Sequence, residues 1–401
     1  MNDSESNAAH PHKPALPRSV KIVGLASLLN DAASEMIFPL LPYFLLTVLQ
    51  GNRFYLGVIE GIADAVAGLV KLWSGDRSDQ AGHRKGFIVF GYSVPSLARP
   101  LIGLVIAPWQ LFAIRVVDRI GKGVRSSPRD ALIADATDPA MQGRAFGFHR
   151  AMDNLGAAIG PLLASAFLWF RPGELRTLFL LAIVPGVIVV VLVVFGLREK
   201  AVAPSLKQRF RLTLKPFDRN FKLYLAALVV FTLGNSSDAF LLVRAGELGV
   251  APMTLPLLWC VCHVAKSAGN LLLGRVVDLM GARPALLVGW LVFAGVYGAF
   301  AWATNAEEIW IAFIGYGLAC GLIEPAEKAL VVQIVGAERK GLAFGWYNFA
   351  IGIGVLPSSL ICGALYQNYG PAAAFGFGTI AALAAIAMLA GVVVRPHSSR
   401  A

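Results

Sequence analysis

The stretch that decides the fold is LFAIRVVDRIGKGVRSSPRDALIADATDPAMQGRAFGFHRAMDNLGAAIGP, residues 111–161. It lies between apolar runs of membrane length and is more charged than they are. Its basic residues Arg115, Arg119, Lys122, Arg125 and Arg129 are spaced by four, three, three and four, so a helix places them on one face. Its second half, NLGAAIGP, is a run of small residues that lets helix backbones approach closely. A charged stripe joined to a close-packing seam marks a polar track through an apolar interior.

The rest of the chain defines that interior. Of 401 residues, 57% are hydrophobic and 15% charged, against about 25% charged in an average soluble domain. Apolar runs fall at 21–48, 54–74, 87–107, 109–135, 144–170 and 177–197, then at 221–244, 253–274, 284–304, 307–335, 341–368 and 371–394. Each holds the ~20 residues that a membrane-crossing helix needs. The expected fold is therefore an all-α membrane protein of twelve transmembrane helices in two six-helix bundles, 21–197 and 221–394. A basic linker, 198–220, joins the bundles, and tails 1–20 and 395–401 flank them. The first tail lacks the pattern of a cleaved signal peptide.

The net charge of +11 is read from its location. One set of loops carries only Arg53, Arg171, Arg176 and Arg244, while the tails, the linker and the other loops hold most of the 35 Lys and Arg. By the positive-inside rule, both termini and the linker face the cytoplasm, which in a bacterial cell places the chain in the inner membrane. The basic excess then contacts anionic lipid heads rather than nucleic acid. Cys260, Cys262, Cys320 and Cys362 all lie in apolar runs and read as small core residues, with no metal site and no cofactor expected.

The two halves are copies. A shift of 198 lays Gly123 on Gly321, Ala131-Leu132 on Ala329-Leu330, Ala145-Phe146-Gly147 on Ala343-Phe344-Gly345, and Gly156 on Gly354. A shift of 199 lays Gly75, Asp79, Gly82 and Arg84 on Gly274, Asp278, Gly281 and Arg283. Parallel six-helix repeats place a site near the midplane between the halves.

These last motifs carry a family resemblance. SGDRSDQAGHRKG, with Gly75, Asp79, Gly82 and Arg84, resembles the loop 2–3 signature of the major facilitator superfamily. LGRVVDLMGARP, with Gly274, Asp278, Gly281 and Arg283, is its echo between helices eight and nine. The resemblance implies a cytoplasmic latch at these positions in the outward-facing state, with Asp79 and Arg84 at its centre. Gly156, Gly160 and Pro161 resemble the antiporter signature of drug/proton exporters, although Ala164-Ser165 replaces its closing Gly-Gly. Arg115 stands where such exporters place an arginine tied to proton exchange, with Asp118 and Arg119 departing from their pattern.

Charge at the bilayer centre costs about 2.5–3.5 kcal/mol per residue, so membrane acids and bases must pair or face water. Asp31 and Glu35, and Glu60 and Asp64, are i,i+4 acid pairs. Repulsion within each pair suits a carboxylate that takes up and releases a proton; with Asp153 they are the proton-coupling candidates. Substrate or cavity candidates are Arg115, Asp118, Arg119, Lys122, His149, Arg150 and Asn154 in the first half. In the second half they are Trp259, His263, Phe313, Tyr316, Trp346 and Tyr347. The first half is thus expected to supply charge and the second an aromatic wall. Asp238, Lys266, Glu324, Glu327 and Lys328 are the charges that remain in the second half.

The expected function is secondary active transport by alternating access, as a monomer. It exchanges protons for a small polar, anionic or amphipathic organic molecule such as a drug, a siderophore-like chelator or a metabolite. Uptake by proton symport is the alternative, and a non-transporting membrane sensor or assembly component is the alternative of another class. No metal cluster or nucleophile motif points to an enzyme.

Overall fold

A computed structural model describes residues 16–138, 141–199, 214–335 and 340–392, without the side chains of Gly143, Arg275, Asp278, Lys340 and Gly341. The tail 1–15, most of the linker and the C-terminal tail therefore lie outside the described residues, as does the side chain of the latch candidate Asp278.

The described residues are mostly helical and form twelve long segments. The first six are α1 (Arg18–Val48), α2 (Arg53–Ala81), α3 (Lys85–Leu104), α4 (Pro108–Asp135), α5 (Gln142–Phe170) and α6 (Leu175–Gly196). The second six are α7 (Arg219–Glu247), α8 (Leu255–Met280), α9 (Ala282–Trp302), α10 (Ala306–Val335), α11 (Lys340–Tyr369) and α12 (Pro371–Ala390). Ten are long and apolar enough to cross a membrane. The other two, α2 and α4, have 29 and 28 residues, about 42 Å at 1.5 Å per residue, and exceed the ~30 Å hydrocarbon core. They fall short only in apolarity, because they carry Glu60, Asp64 and the basic stripe. These two helices pack against each other.

Short connections make neighbouring helices antiparallel. We call the end where α1 begins basal and the opposite end distal; even-numbered helices start at the distal end. Local signals set the ends. The Asn52 side chain accepts the Tyr55 N–H at 2.7 Å and caps α2, and Asp218 accepts the Phe221 N–H at 2.9 Å and caps α7. Gly82, at φ +65°, ends α2 in the left-handed region.

Within the first half α1 packs on α5, and α4 on α2 and α3; within the second, α8 packs on α10, and α12 on α7 and α9. The halves meet where α2 packs on α11 and α5 on α8. These two contacts are images of each other under a six-helix shift, as a pseudo-twofold axis requires. The repeat extends to the breaks. Pro128 and Pro325 interrupt α4 and α10, and Pro161 and Pro357 interrupt α5 and α11, each removing a rung of the backbone ladder. α1 is broken after Glu35, and α7 between Gly234 and Ala239.

The small-residue seam packs as its sequence suggests. A methyl group at Gly156 or Gly160 would enter the carbonyls of Leu28 and Ala32, so these glycines let α5 lie directly on α1. Cys260, Cys262 and Cys362 are buried as expected. Cys320 is half-buried, packing against the core while also bordering the central cavity.

Candidate functional site

A cavity of about 440 Å³ lies between the halves near mid-membrane. Exposure along its helices shows which way it opens. On α2, Glu60 is buried while the side chain of Asp64, one turn closer to the basal end, is 39% exposed. On α4 the same sequence runs from buried Arg115 to exposed Lys122, and on α10 from buried Tyr316 to Glu324 at 45%. The cavity is therefore open basally.

Its distal end is sealed by contacts between the halves. Gly57 of α2 lies against the Ser359 carbonyl of α11, and a Cβ at Gly363 would meet the Arg53 carbonyl at 3.0 Å. Arg53 forms an ion pair with Glu247, which also accepts the Tyr366 hydroxyl at 2.7 Å; Gln367 accepts the Arg53 N–H at 3.0 Å. On the other seam Ser165 donates to the Met253 carbonyl at 2.9 Å. At mid-membrane the Trp259 indole N–H donates to Glu35 at 2.8 Å across the halves. That bond sits at the break in α1, where Phe38 packs on Trp259 with ring centroids 5.3 Å apart.

The first-half charges form a bonded chain. Arg115 grips Glu60 through Nε at 3.0 Å and one terminal nitrogen at 2.8 Å to both oxygens. Arg99 holds Asp118 at 2.7 Å and reaches Asn30 at 3.0 Å, and Asn30 in turn donates to Asp31 at 2.8 Å. Arg119 stands 3.2 Å from Asp64 and 4.0 Å from Glu60. Lys122 lines the cavity without an ion pair among the described residues. The stripe thus serves different neighbours along its length. Arg125 lies over the Tyr92 ring at 4.6 Å, and Arg129 pairs with Asp130 at 2.9 Å and donates to Ser27 at 3.2 Å.

Several sequence candidates lie off the cavity wall. Arg115 and Asp118 are buried behind it as supports for Glu60 and Arg99. His149 is buried against Ser27 at 3.0 Å and stands 3.5 Å from Asp153, because the glycine seam turns that face of α5 onto α1. Arg150 and Asn154 are exposed on α5. Phe313 is fully buried against Phe300, with centroids 5.3 Å apart, and Trp346 packs on Phe349 at 5.3 Å. His263 stands edge-on to Trp259 at 4.8 Å, its Nε2 without a hydrogen-bond partner. Tyr316 and Tyr347 do line the cavity.

The expected contrast between a charged half and an aromatic half is corrected. The second-half wall carries Asp238, Lys266, Glu324 and Glu327 beside Phe231, Phe293, Tyr316 and Tyr347. Tyr316 donates to Asp238 at 2.5 Å, Lys266 pairs with Glu324 at 2.6 Å, and Tyr347 donates to Glu327 at 2.8 Å. The segment Asn235–Asp238 lines the wall because α7 breaks there. Asn235 and Ser236, small polar residues between the α7 apolar runs, are the sequence signal for this break.

At the basal loop the motif residues pair with one another and with their neighbours. Arg84 donates to Asp79 at 2.7 Å and to Asp135 at 2.8 Å, and Glu199 accepts the Arg84 and Lys85 backbone N–H groups. The Asp79 and Asp135 contacts lie within the first half, and Glu199 belongs to the start of the linker. Gly75 abuts Ser127 of α4. In the second copy Gly281 is at φ +86°, nothing among the described residues stands against Gly274, and Arg283 reaches the carbonyls of Leu389 and Ala390.

Comparison with known proteins agrees with this architecture. The family model described as Major Facilitator Superfamily matches residues 23–262 and 223–401. An uncharacterised MFS-type transporter of Methanocaldococcus jannaschii is 29% identical over 377 residues, covering 92% of this chain and 93% of its own. The multidrug resistance protein MdtG of Klebsiella pneumoniae is 24% identical, covering 89% of both. Among solved structures, a POT family transporter in complex with 5-aminolevulinic acid superposes with a TM-score of 0.76 at 11% identity, over 93% of this chain and 95% of that one. The human organic anion transporter MFSD10 superposes with 0.66 at 17%, over 94% and 100%.

Proposed function

The chain belongs to the Major Facilitator Superfamily, and from that premise we propose that it exports a small polar, anionic or amphipathic organic molecule in exchange for protons. It is a multi-pass membrane transporter. The single observation that carries the finer reading is the cavity between the halves, sealed distally, open basally and lined by cations and acids from both. Such a cavity is one of the two states that alternating access requires. With the basal end in the cytoplasm, as the loop charges predict, this state loads from the cytoplasm. The likeness to multidrug resistance proteins supports export over uptake.

Lys122, with no ion pair among the described residues, is the group placed to receive an anionic or zwitterionic substrate. Arg119 borders it, and the aromatic surface of Phe231, Phe293 and Tyr316 takes the apolar part. The first-half acids differ in their surroundings. Asp64 and Asp31 are partly exposed, whereas Glu60 is locked to Arg115. Asp153 lies behind α1, and Glu35 is tied to Trp259.

The test is transport by the purified protein in liposomes under an imposed pH gradient, using labelled anionic and zwitterionic solutes chosen from a survival screen of a deletion strain. Movement of a solute against the proton flux is the expected outcome. Solute moving with the protons would establish symport, and indifference to the gradient would end the coupling proposal. Lys122→Gln is expected to raise the KM for an anionic substrate about tenfold or more, the loss of one charge-assisted hydrogen bond. An unchanged KM would remove Lys122 from the site.

A further inference from the structure

Membrane acids in this protein are held in two different ways. Asp118, Glu60, Asp64 and Glu324 each face a cation, Arg99, Arg115, Arg119 and Lys266 respectively, at 2.6–3.2 Å. Glu327 of α10 does not. It is buried, it lines the cavity, and its Oε2 accepts the Tyr347 hydroxyl at 2.8 Å. Among the described residues it forms no ion pair. Glu35 and Asp238 are also held by neutral donors, Trp259 and Tyr316, but Glu35 is off the cavity wall and Asp238 shares the field of Lys266; two features bear on Glu327.

The first feature is its neighbourhood. Glu324 lies one turn away on the same helix and holds Lys266 of α8 at 2.6 Å, so an ionised Glu327 stands in the field of a like charge whose own cation is already engaged. Tyr224 of α7 donates to the Glu327 carbonyl at 3.2 Å, the buried indole of Trp290 faces it from α9, and Lys328 follows on its own helix. The second feature is the position of its partner. Tyr347 stands on α11, the helix whose Ser359 and Gly363 close the distal seal on Gly57 and Arg53. Both charge states keep a bond to Tyr347. The carboxylate accepts it as a charge-assisted bond, and the acid accepts a weaker neutral one while its own O–H turns to water in the cavity. A proton on Glu327 therefore alters the tie between α10 and the helix that seals the distal end.

We infer that Glu327 is a proton-binding site of the transport cycle, coupling protonation to the packing of α10 on α11. This rests on the proton-coupled reading above and assigns it a second-half carboxylate. The test needs no substrate. Infrared difference spectra of the full-length protein in liposomes, recorded as pH is stepped from alkaline to acid, are expected to show a protonated carboxyl band. That band disappears in Glu327→Gln and returns at a shifted frequency in Glu327→Asp. Tyr347→Phe, which leaves the carboxyl in place, is expected to displace the midpoint of the band by about one pH unit or more.

A titrating band unchanged in both Glu327→Gln and Tyr347→Phe overturns the inference, as does the absence of any titrating carboxyl in the parent protein. In liposomes Glu327→Gln is expected to abolish gradient-driven movement while keeping substrate exchange. Gradient-driven movement that survives in Glu327→Gln sinks this site and leaves proton coupling standing. A parent protein indifferent to the gradient sinks the coupling itself, whichever band titrates.

Discussion

Arg115→Ala is expected to be the most damaging single change in the first half, lowering the stability of the folded protein by about 3–5 kcal/mol. Arg115 and Glu60 are both buried, and the arginine makes three hydrogen bonds to the one carboxylate. Removing it leaves an ionised group in the membrane interior with only Arg119, at 4.0 Å, to answer it. Asp118, 3.7 Å from Arg115, keeps Arg99 and should not add to the loss. Yield of monodisperse protein and its melting temperature in detergent are the measurements. Replacing both partners by apolar residues, Glu60→Leu with Arg115→Met, is expected to recover most of that stability, because no uncompensated charge remains. A stable Arg115→Ala protein, or a double variant as unstable as the single, would show that the pair is not the brace described.

Gly57→Leu is expected to shift the transporter toward the state open at the distal end. The Gly57 backbone lies on the Ser359 carbonyl, and the neighbouring Gly61 allows a Cβ only 3.0 Å from Leu356. A side chain there has no room while α2 and α11 are sealed. Overpacking of this kind costs about 1–3 kcal/mol, and it falls on the sealed state alone. That difference moves a two-state equilibrium by roughly five- to 150-fold. Spin labels on Gln50→Cys and Ala251→Cys, in the distal loops of the two halves, read the result as a longer distance distribution. Substrate exchange should fall in parallel. An unchanged distribution would mean that the seal is made elsewhere, with the Arg53–Glu247 pair as the next place to look.

Much of this was legible before any coordinates. The duplicated Gly-Asp-Gly-Arg motif foretold two related halves, and the Arg84–Asp79 bond is where its spacing places it. The small residues Gly156 and Gly160 foretold a backbone contact but not its partner, because periodicity identifies a face and not what lies against it. The stripe from Arg115 to Arg129 illustrates the same limit. Its members share a helix face in sequence, yet α4 touches α1, α2 and α3, and each arginine answers the helix at its own depth. Phe313 and Tyr316 lie three residues apart on α10. Both touch aromatic residues of α9, yet only Tyr316 also borders the cavity, a distinction set by position in the packed bundle and not by residue type.

The amino-acid sequence by itself determined the class of this protein: its membrane-length apolar runs, its internal repeat and its asymmetric loop charge are local or periodic properties that survive without a partner. The tertiary structure alone decided which charges are supports and which face the cavity. That choice depends on contacts between residues far apart in the chain, such as Arg115 with Glu60 and Tyr347 with Glu327. A buried charge finds its meaning in the group that compensates it, and only folding brings that group near.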